Sequence, residues 1–354
     1  MDPSGVRVGI LGATGQVGGV MRRLLAERNF PVTEMRYFAS ARSAGRTLPW
    51  GDIEITVEES TEADYSDLDV VLASAGATAS RALAEKIAAS GPVVIDNSSA
   101  FRMDDRVPLV VPEANADALD DIPIGIVANP NCTTMVLMVA AKPLHDAFGL
   151  REMVATSYQA AGGAGQGGMS ELIDQARKLV EDADALRLDG LRAEASVDPA
   201  AFSKAIAFNV LPHCGTFGDE RYTDEEWKLV NESRKILSIA SLRVSPTCVR
   251  VPVMVGHSLA ARLTFRDDVS RAAAVEVLAD APGLVIEDGI GADGEDLAYP
   301  TPLGSAGRDE VIVGRIREDL GDPKSLNLFV AGDNLLKGAA LNAVQLAELV
   351  AAEG

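Results

Sequence analysis

The first third of the chain alternates short apolar runs with stretches whose apolar residues recur every three or four positions. Val6–Leu11 is one such run. Behind it Val17, Val20, Met21, Leu24 and Leu25 fall at helical spacing across 15–28. Further short runs predict strands at 35–39, 53–57, 69–73, 93–96 and 124–128, with a helix at 78–89. Strand–helix alternation means crossover units and a mostly parallel, doubly wound sheet. Past Asn129 the texture changes. A long helix at 131–148 is followed by a strand at 152–159, a glycine-rich stretch at 162–168 and a helix at 169–181. Strands are expected at 207–211, 250–255, 258–265, 284–287, 310–317 and 326–330, and a final helix at 333–352. Strands with few intervening helices suggest an α+β domain. The acidic, poorly patterned stretch 182–199 reads as an excursion over the surface. The expected organisation is therefore an α/β Rossmann-type domain at 1–130 followed by an α+β domain at 131–330.

Length and charge narrow the function. The 354 residues, 47% apolar and 24% charged, are ordinary globular usage for about two domains. A formal net charge of −20 works against nucleic acid and anionic membranes as partners. No run reaches the ~18 apolar residues of a membrane span, and the opening strand is too short for a signal peptide. Three cysteines, Cys132, Cys214 and Cys248, match neither a disulfide framework nor a zinc cluster. A cytoplasmic enzyme without a metal is the expectation.

Between the first strand and first helix lies Gly9-Ile-Leu-Gly12-Ala-Thr-Gly15-Gln-Val-Gly18. Glycines there let the backbone approach a pyrophosphate at a helix N-terminus, although such turns also arise for packing alone. Gly12, Ala13, Thr14, Gly15, Gln16 and Val17 are the candidates. An NAD site usually ends its second strand with an acid that bonds the ribose 2′-hydroxyl. Here that strand runs into Ser40, Ala41, Arg42 and Ser43 with no acid. Arg42 can pair with a 2′-phosphate, so NADP is favoured over NAD; the alternative is a solvated polar loop.

Cys132 follows Asn129-Pro130-Asn131 at the start of an apolar helical run. Unpaired amides at a helix start lower a thiol's pKa, which makes Cys132 the candidate nucleophile. Cys214 and Cys248 read as inert core thiols. Of three histidines, His145 reads as structural and His213 as ambiguous. His257 falls at an expected turn just beyond Arg250, so a carboxylate-binding cation and a base for the thiol come from adjacent parts of one hairpin.

Six motifs in order carry a resemblance. They are Gly12-Ala-Thr-Gly15, Asp96-Asn-Ser-Ser-Ala-Phe-Arg102, Val110-Val-Pro-Glu-Ala-Asn115, Asn129-Pro-Asn-Cys132-Thr-Thr, Ser157-Tyr-Gln159 and Arg250-Val-Pro-Val with Gly256-His257-Ser. Together they resemble the aspartate-semialdehyde dehydrogenase family from Val6 to Ala352. The resemblance implies a catalytic and dimerisation domain of the glyceraldehyde-3-phosphate-dehydrogenase-like type, with the terminal segment 331–354 completing the nucleotide domain. It implies Cys132 as nucleophile, His257 as acid/base and Gln159 as the residue orienting the substrate. Arg250 and Glu225 would bind the substrate's carboxylate and amine, and Arg102 and Lys228 its phosphate. Gly162, Gly163 and Asn334 would contact the cofactor. The family's usual Ser is Gly162 here, so only backbone contact carries over at that position. The implied reaction is NADPH-dependent reduction of L-4-aspartyl phosphate through a cysteine thioester, feeding lysine, methionine, threonine and diaminopimelate synthesis. The implied assembly is a homodimer or homotetramer. The rivals are N-acetyl-γ-glutamyl-phosphate reductase, whose acylated amine would give Glu225 no cation to meet, phosphorylating glyceraldehyde-3-phosphate dehydrogenase, and a non-catalytic NADP-binding sensor.

Overall fold

A computed structural model describes residues 5–289 and 297–353. They fall into two compact units, one of Met1–Asn131, Lys235–Ser238 and Leu336–Gly354, the other of Cys132–Arg234 and Ile239–Leu335.

The first unit is built on β1 (Val6–Leu11), β2 (Val32–Ala39), β3 (Thr47–Trp50), β4 (Ile53–Glu59), β5 (Val70–Ala73), β6 (Val93–Asp96) and β7 (Ile126–Ala128). Their order is β3-β4-β2-β1-β5-β6-β7, parallel except for β3 against β4. Apolar runs such as Val70–Ala73 are buried on both faces, as central parallel strands must be. Helices α1 (Gln16–Glu27) and α2 (Ala77–Ala89) follow β1 and β5. Met21, Leu24 and Leu25 of α1 share a core with Leu341, Val344 and Val350, so the end of the chain packs within this unit. That terminal segment is not one helix. It opens with a π-helix at Leu336–Ala340, in which Lys337 is buried against Glu113 and also donates to Gln345 Oε1 (2.8 Å).

The second unit carries a mixed sheet of β8 (Leu150–Gln159), β9 (Arg243–Arg250), β10 (His257–Phe265), β11 (Leu284–Ile286), β12 (Val311–Glu318) and β13 (Ser325–Gly332), in the order β11-β12-β13-β10-β8-β9. Its first helix, α3 (Cys132–Phe148), lies against this sheet and is buried along nearly all of its first three turns. Helices α4 (Gly165–Leu179) and α5 (Asp224–Ile236) complete the parts that matter below.

Three further expectations need correction. Residues 250–255 are not a strand; the strand lies earlier, at Arg243–Arg250, and 251–255 form a loop. Residues 207–211 are turns with a single bridge, Leu211 to Arg250, and Phe208 takes a positive φ of 58° that breaks any ladder. The stretch 182–199 is not featureless. It forms two short helices, Ala183–Leu188 and Gly190–Ala195, each capped by an Asp, whose Ala185 and Ala193 join a small core with Val197 and Ile206.

Candidate active site

In the first unit, the glycine turn after β1 is fixed by two amides. Gly12 and Ala13 both donate to the carbonyl of Phe38, at 2.8 and 3.3 Å. Gly12 sits at φ +87°, and a Cβ there would lie 2.4 Å from Ser74 O, so only glycine serves. Gly15 precedes α1 and has no side chain to cap it, so no cap oxygen competes with an anion at that helix N-terminus. Ser40, Ala41 and Arg42 form an exposed turn at the end of β2. Among the described residues Arg42 makes no ion pair. A nucleotide phosphate fits this cradle, and a 2′-phosphate fits the cation beside it.

Arg102 also lies in this unit. Its guanidinium is buried and donates from Nε to Asn129 O (2.9 Å) and from Nη2 to Asn97 O (3.2 Å). Lys235 pins the same loop by donating to the carbonyls of Arg102, Asp104 and Val107 at 2.8–2.9 Å.

In the second unit, sheet topology brings three predicted residues together. β8 and β9 run parallel with Gln159 opposite Arg250, so both strands end at the same level. β10 runs antiparallel to β8 with Ser258 opposite Tyr158, so it begins where they end, and its first residue is His257. His257 is thus a buried strand residue, not the turn residue expected. Cys132 is the first residue of α3 and is half-buried. One turn further on, Val136 packs so closely that a Cβ on Gly332 would lie 2.8 Å from it, and Gly332 is the cross-strand partner of His257. The start of α3 therefore lies at the same end of the sheet.

One residue links two of these groups through its backbone. The N–H of Ala160 donates to His257 Nδ1 (3.0 Å), and the C=O of Ala160 accepts from Arg250 Nη1 (2.8 Å). An amide can only donate, so Nδ1 carries the lone pair and the hydrogen of the neutral imidazole resides on Nε2. Burial, helped by the Arg250 charge, pushes the His257 pKa down to about 3. Nε2 makes no hydrogen bond among the described residues. Gly163 leaves open the space these groups face: a Cβ there would be 2.6 Å from Arg250 Nη1 and 3.1 Å from His257 Nε2. Asn334 accepts from Gly256 N–H (2.9 Å), and its amide lies 3.7 Å from where a Gly162 Cβ would be.

A cleft of about 370 Å³ opens beside Gly163, lined among others by Phe202, His213, Cys214, Glu225 and Arg250. Glu225 and Lys228 share one face of α5, as their spacing predicts, and Lys228 also reaches Asp224 (2.6 Å). Burial works against the ammonium, yet Glu225 and Asp224 outweigh it and the Lys228 pKa is raised. Two carboxylates and one ammonium leave this trio net negative, which suits a cationic amine. Two of the three Lys228 N–H donors go to these carboxylates, which leaves one for a phosphate oxygen. Burial pushes the Cys214 thiol up to about 12, with Glu225 and Cys132 adding to the shift, and pushes Cys248 up too, so both stay protonated. Sequence reasoning missed Ala160 and Phe202. Ala160 acts through its backbone, and nothing in the pattern around Phe202 sets it apart from core. Among the described residues no cluster of His, Cys, Asp and Glu is placed to hold a metal, and no helix is long and apolar enough to cross a membrane.

Comparison with known proteins bears on both units. Residues 7–122 match the semialdehyde dehydrogenase NAD-binding domain, and residues 141–337 the semialdehyde dehydrogenase dimerisation domain. The chain is 55% identical over 350 residues to an aspartate-semialdehyde dehydrogenase of Streptomyces akiyoshiensis, covering 98% of this chain and 99% of that one. It is 48% identical over 355 residues to the same-named protein of Mycolicibacterium smegmatis, covering 98% and 99%. Among solved structures, aspartate semialdehyde dehydrogenase II from Vibrio cholerae, complexed with ASA, superposes with a TM-score of 0.90 at 39% identity over 98% of each chain. The Candida albicans aspartate semialdehyde dehydrogenase with NADP gives 0.74 at 25% identity over 99% of each chain.

Proposed function

We infer the reaction from one premise: this chain belongs to the aspartate-semialdehyde dehydrogenase family, as an NAD(P)-binding oxidoreductase of aspartate-derived amino-acid biosynthesis. We propose that it uses NADP(H) to convert L-4-aspartyl phosphate and L-aspartate 4-semialdehyde into one another. The observation that supports this most is the convergence of Gln159, Arg250 and His257 at one end of the second sheet, with the helix of Cys132 starting at the same end.

In the proposed mechanism Arg250 grips the α-carboxylate and Glu225 meets the ammonium, which orients C4 toward the sulfur with Gln159 beside it. The Cys132 thiolate attacks C4, and the C–O bond to phosphate breaks; Arg102 and Lys228 are the proposed cations for the departing phosphate. When bound, NADPH supplies the hydride that reduces the thioester. His257 donates an Nε2–H hydrogen bond to the developing hemithioacetal oxygen, keeping its hydrogen, and releases that oxygen as the carbonyl re-forms and the thiolate leaves. The proton consumed overall departs on phosphate. The tautomer favours this donor role over removal of the thiol proton, for which Nε2 would need a lone pair it lacks. The thiolate is then attributed to the amides at the start of α3.

Gly12, Ala13, Thr14, Gly15, Gln16 and Val17 are proposed to hold the cofactor phosphates, and Ser40, Ala41 and Arg42 its 2′-phosphate. Gly162, Gly163 and Asn334 belong to the same proposed set. The proposed nucleotide domain is 1–130 with 331–354, and the catalytic domain 131–330. A homodimer in the cytoplasm goes with this reading, supported by the match to a dimerisation domain; a homotetramer would need a second interface. The net-negative trio at Glu225 argues against an acylated, uncharged amine and hence against the glutamyl-phosphate rival. The test is NADP+ reduction with L-aspartate 4-semialdehyde, with and without inorganic phosphate, for wild type and Cys132→Ala. Phosphate-dependent turnover that the variant loses is expected. Turnover that survives in Cys132→Ala would refute the thioester route.

A further inference from the structure

Residues 198–218 contain no helix or strand, only isolated bridges, yet part of this segment is firmly held. Two side chains one turn apart on α4 do the holding. Glu171 Oε2 accepts from the amides of Ala200 (3.0 Å) and Ala201, and Gln175 Oε1 from those of Ile206 (2.8 Å) and Ala207 (3.3 Å). Gln175 Nε2 donates in turn to Glu171 Oε1 (2.8 Å), so the two anchors brace each other. Phe202 lies between them. Its ring lies over the guanidinium of Arg250, 5.8 Å from Cζ of that group to the ring centroid. Its own Cζ is 3.0 Å from the place a Cβ on Gly168 would take, a place also 2.6 Å from Ala161 O, so a glycine at 168 is what lets the ring lie there.

We propose that Phe202 is a positioning residue for substrate recognition, holding the Arg250 guanidinium by its face so that the donor edge meets the substrate's α-carboxylate. This rests on the reaction assigned above. The opposing restraint is the bond from Nη1 to Ala160 O, so the planar fork is held from two directions. A guanidinium is weakly hydrated and stacks on aromatic faces, and a fork fixed in advance loses less freedom when it binds a carboxylate bidentately. Removing the ring frees the fork to rotate and admits water to its face. The loss falls on carboxylate binding rather than on the chemical step.

The experiment compares wild type, Phe202→Leu and proteins carrying progressively fluorinated phenylalanines at 202, which keep the ring while draining its face of negative charge. Each is assayed with L-aspartate 4-semialdehyde and with 3-aminopropanal, which lacks the carboxylate. In Phe202→Leu the KM for the aspartate aldehyde rises about tenfold with kcat within about twofold, the size expected of a desolvated cation–π contact. The preference over 3-aminopropanal narrows by the same factor, KM for NADP+ and phosphate stay put, and fluorination raises KM in graded steps. A flat fluorination series, or equal losses with both aldehydes, overturns the proposal while leaving the reaction intact. Absence of phosphate-dependent turnover in the wild type overturns the functional reading itself, before any variant is compared.

Discussion

Gly163→Ala tests the site at its tightest point. Gly163 is not among the glycines with positive φ, so alanine meets no backbone strain there. The added methyl instead meets Arg250 Nη1 at 2.6 Å, about 0.8 Å inside ordinary van der Waals contact, and His257 Cε1 and Nε2 at 3.0 and 3.1 Å. Neither neighbour can yield cheaply. His257 is fully buried and held at Nδ1, and Arg250 can retreat only by giving up its bond to Ala160 O. Overpacking of this kind costs about 1–3 kcal/mol of stability. Its larger effect is on rate, because displacing a substrate-binding group by about 1 Å costs on the order of a hundredfold. The expected result is a folded protein whose kcat/KM for phosphate-dependent NADP+ reduction falls roughly a hundredfold. Gly167→Ala is the control: a Cβ there meets nothing within 4 Å and should be nearly silent. A Gly163→Ala enzyme within about threefold of wild type would refute the geometry, since even about 1 kcal/mol, the low end of that range, is roughly fivefold.

Three further outcomes follow from the same residues. His257 stays neutral in the folded protein down to about pH 3, whereas its ordinary pKa is 6.5, so below 6.5 the unfolded chain gains a proton that the folded one refuses. Stability should therefore fall with pH across that window by up to about 1.4 kcal/mol per pH unit, and urea midpoints of His257→Gln should lack that part of the slope. An identical slope in the variant would show that other groups set it. Gly162→Ser restores the residue usual in the family, but its Cβ would lie 2.7 Å from Met254 O. NADP+ affinity should fall by roughly threefold or more rather than improve, and a titration showing tighter binding would count against this packing. Arg42→Ala should lower the preference for NADP+ over NAD+ by about ten- to a hundredfold, the range of one charge-assisted hydrogen bond or a little more, without weakening NAD+; an unchanged ratio of KM values removes Arg42 from the site.

Much of this fold can be read in the chain because its signals are local. Val6–Leu11 is an apolar run ended by Gly12, and no other residue type suits the turn that follows. The edge strands are harder. Both β3 and β9 lie at sheet edges and contain a proline, Pro49 and Pro246, which an edge tolerates because one row of amides is unpaired. Pro246, with Arg243, Ser245 and Thr247, breaks the apolar pattern of Arg243–Arg250, while the apolar Val251–Val255 carries the pattern of a strand. The site divides the same way. Cys132, Gln159, Arg250 and His257 stand out by residue type and motif. That the start of β10 comes level with the ends of β8 and β9 depends on pairing between distant segments, which a linear pattern does not carry. The cavity-lining Phe202 depends on Glu171 and Gln175, some thirty residues away, for its place.

The backbone of Ala160 has a consequence for how such an enzyme could change its substrate. Because the two amides that flank one residue hold the imidazole and the carboxylate grip, and meet at its Cα, the two groups are hard to tune apart. A poorly fitting acid that pushed Arg250 aside would pull on the Ala160–Ala161 amide and, through the Ala160 Cα, on the amide that holds His257. An incorrect substrate would thus be rejected twice, once for its fit and again for the misaligned hydrogen-bond donor it leaves behind. Exchanging the side chain at position 160 leaves both bonds in place, except for proline, whose missing N–H would release His257 alone. A lineage acquiring a new substrate has to rebuild the turn between β8 and α4 rather than exchange one residue.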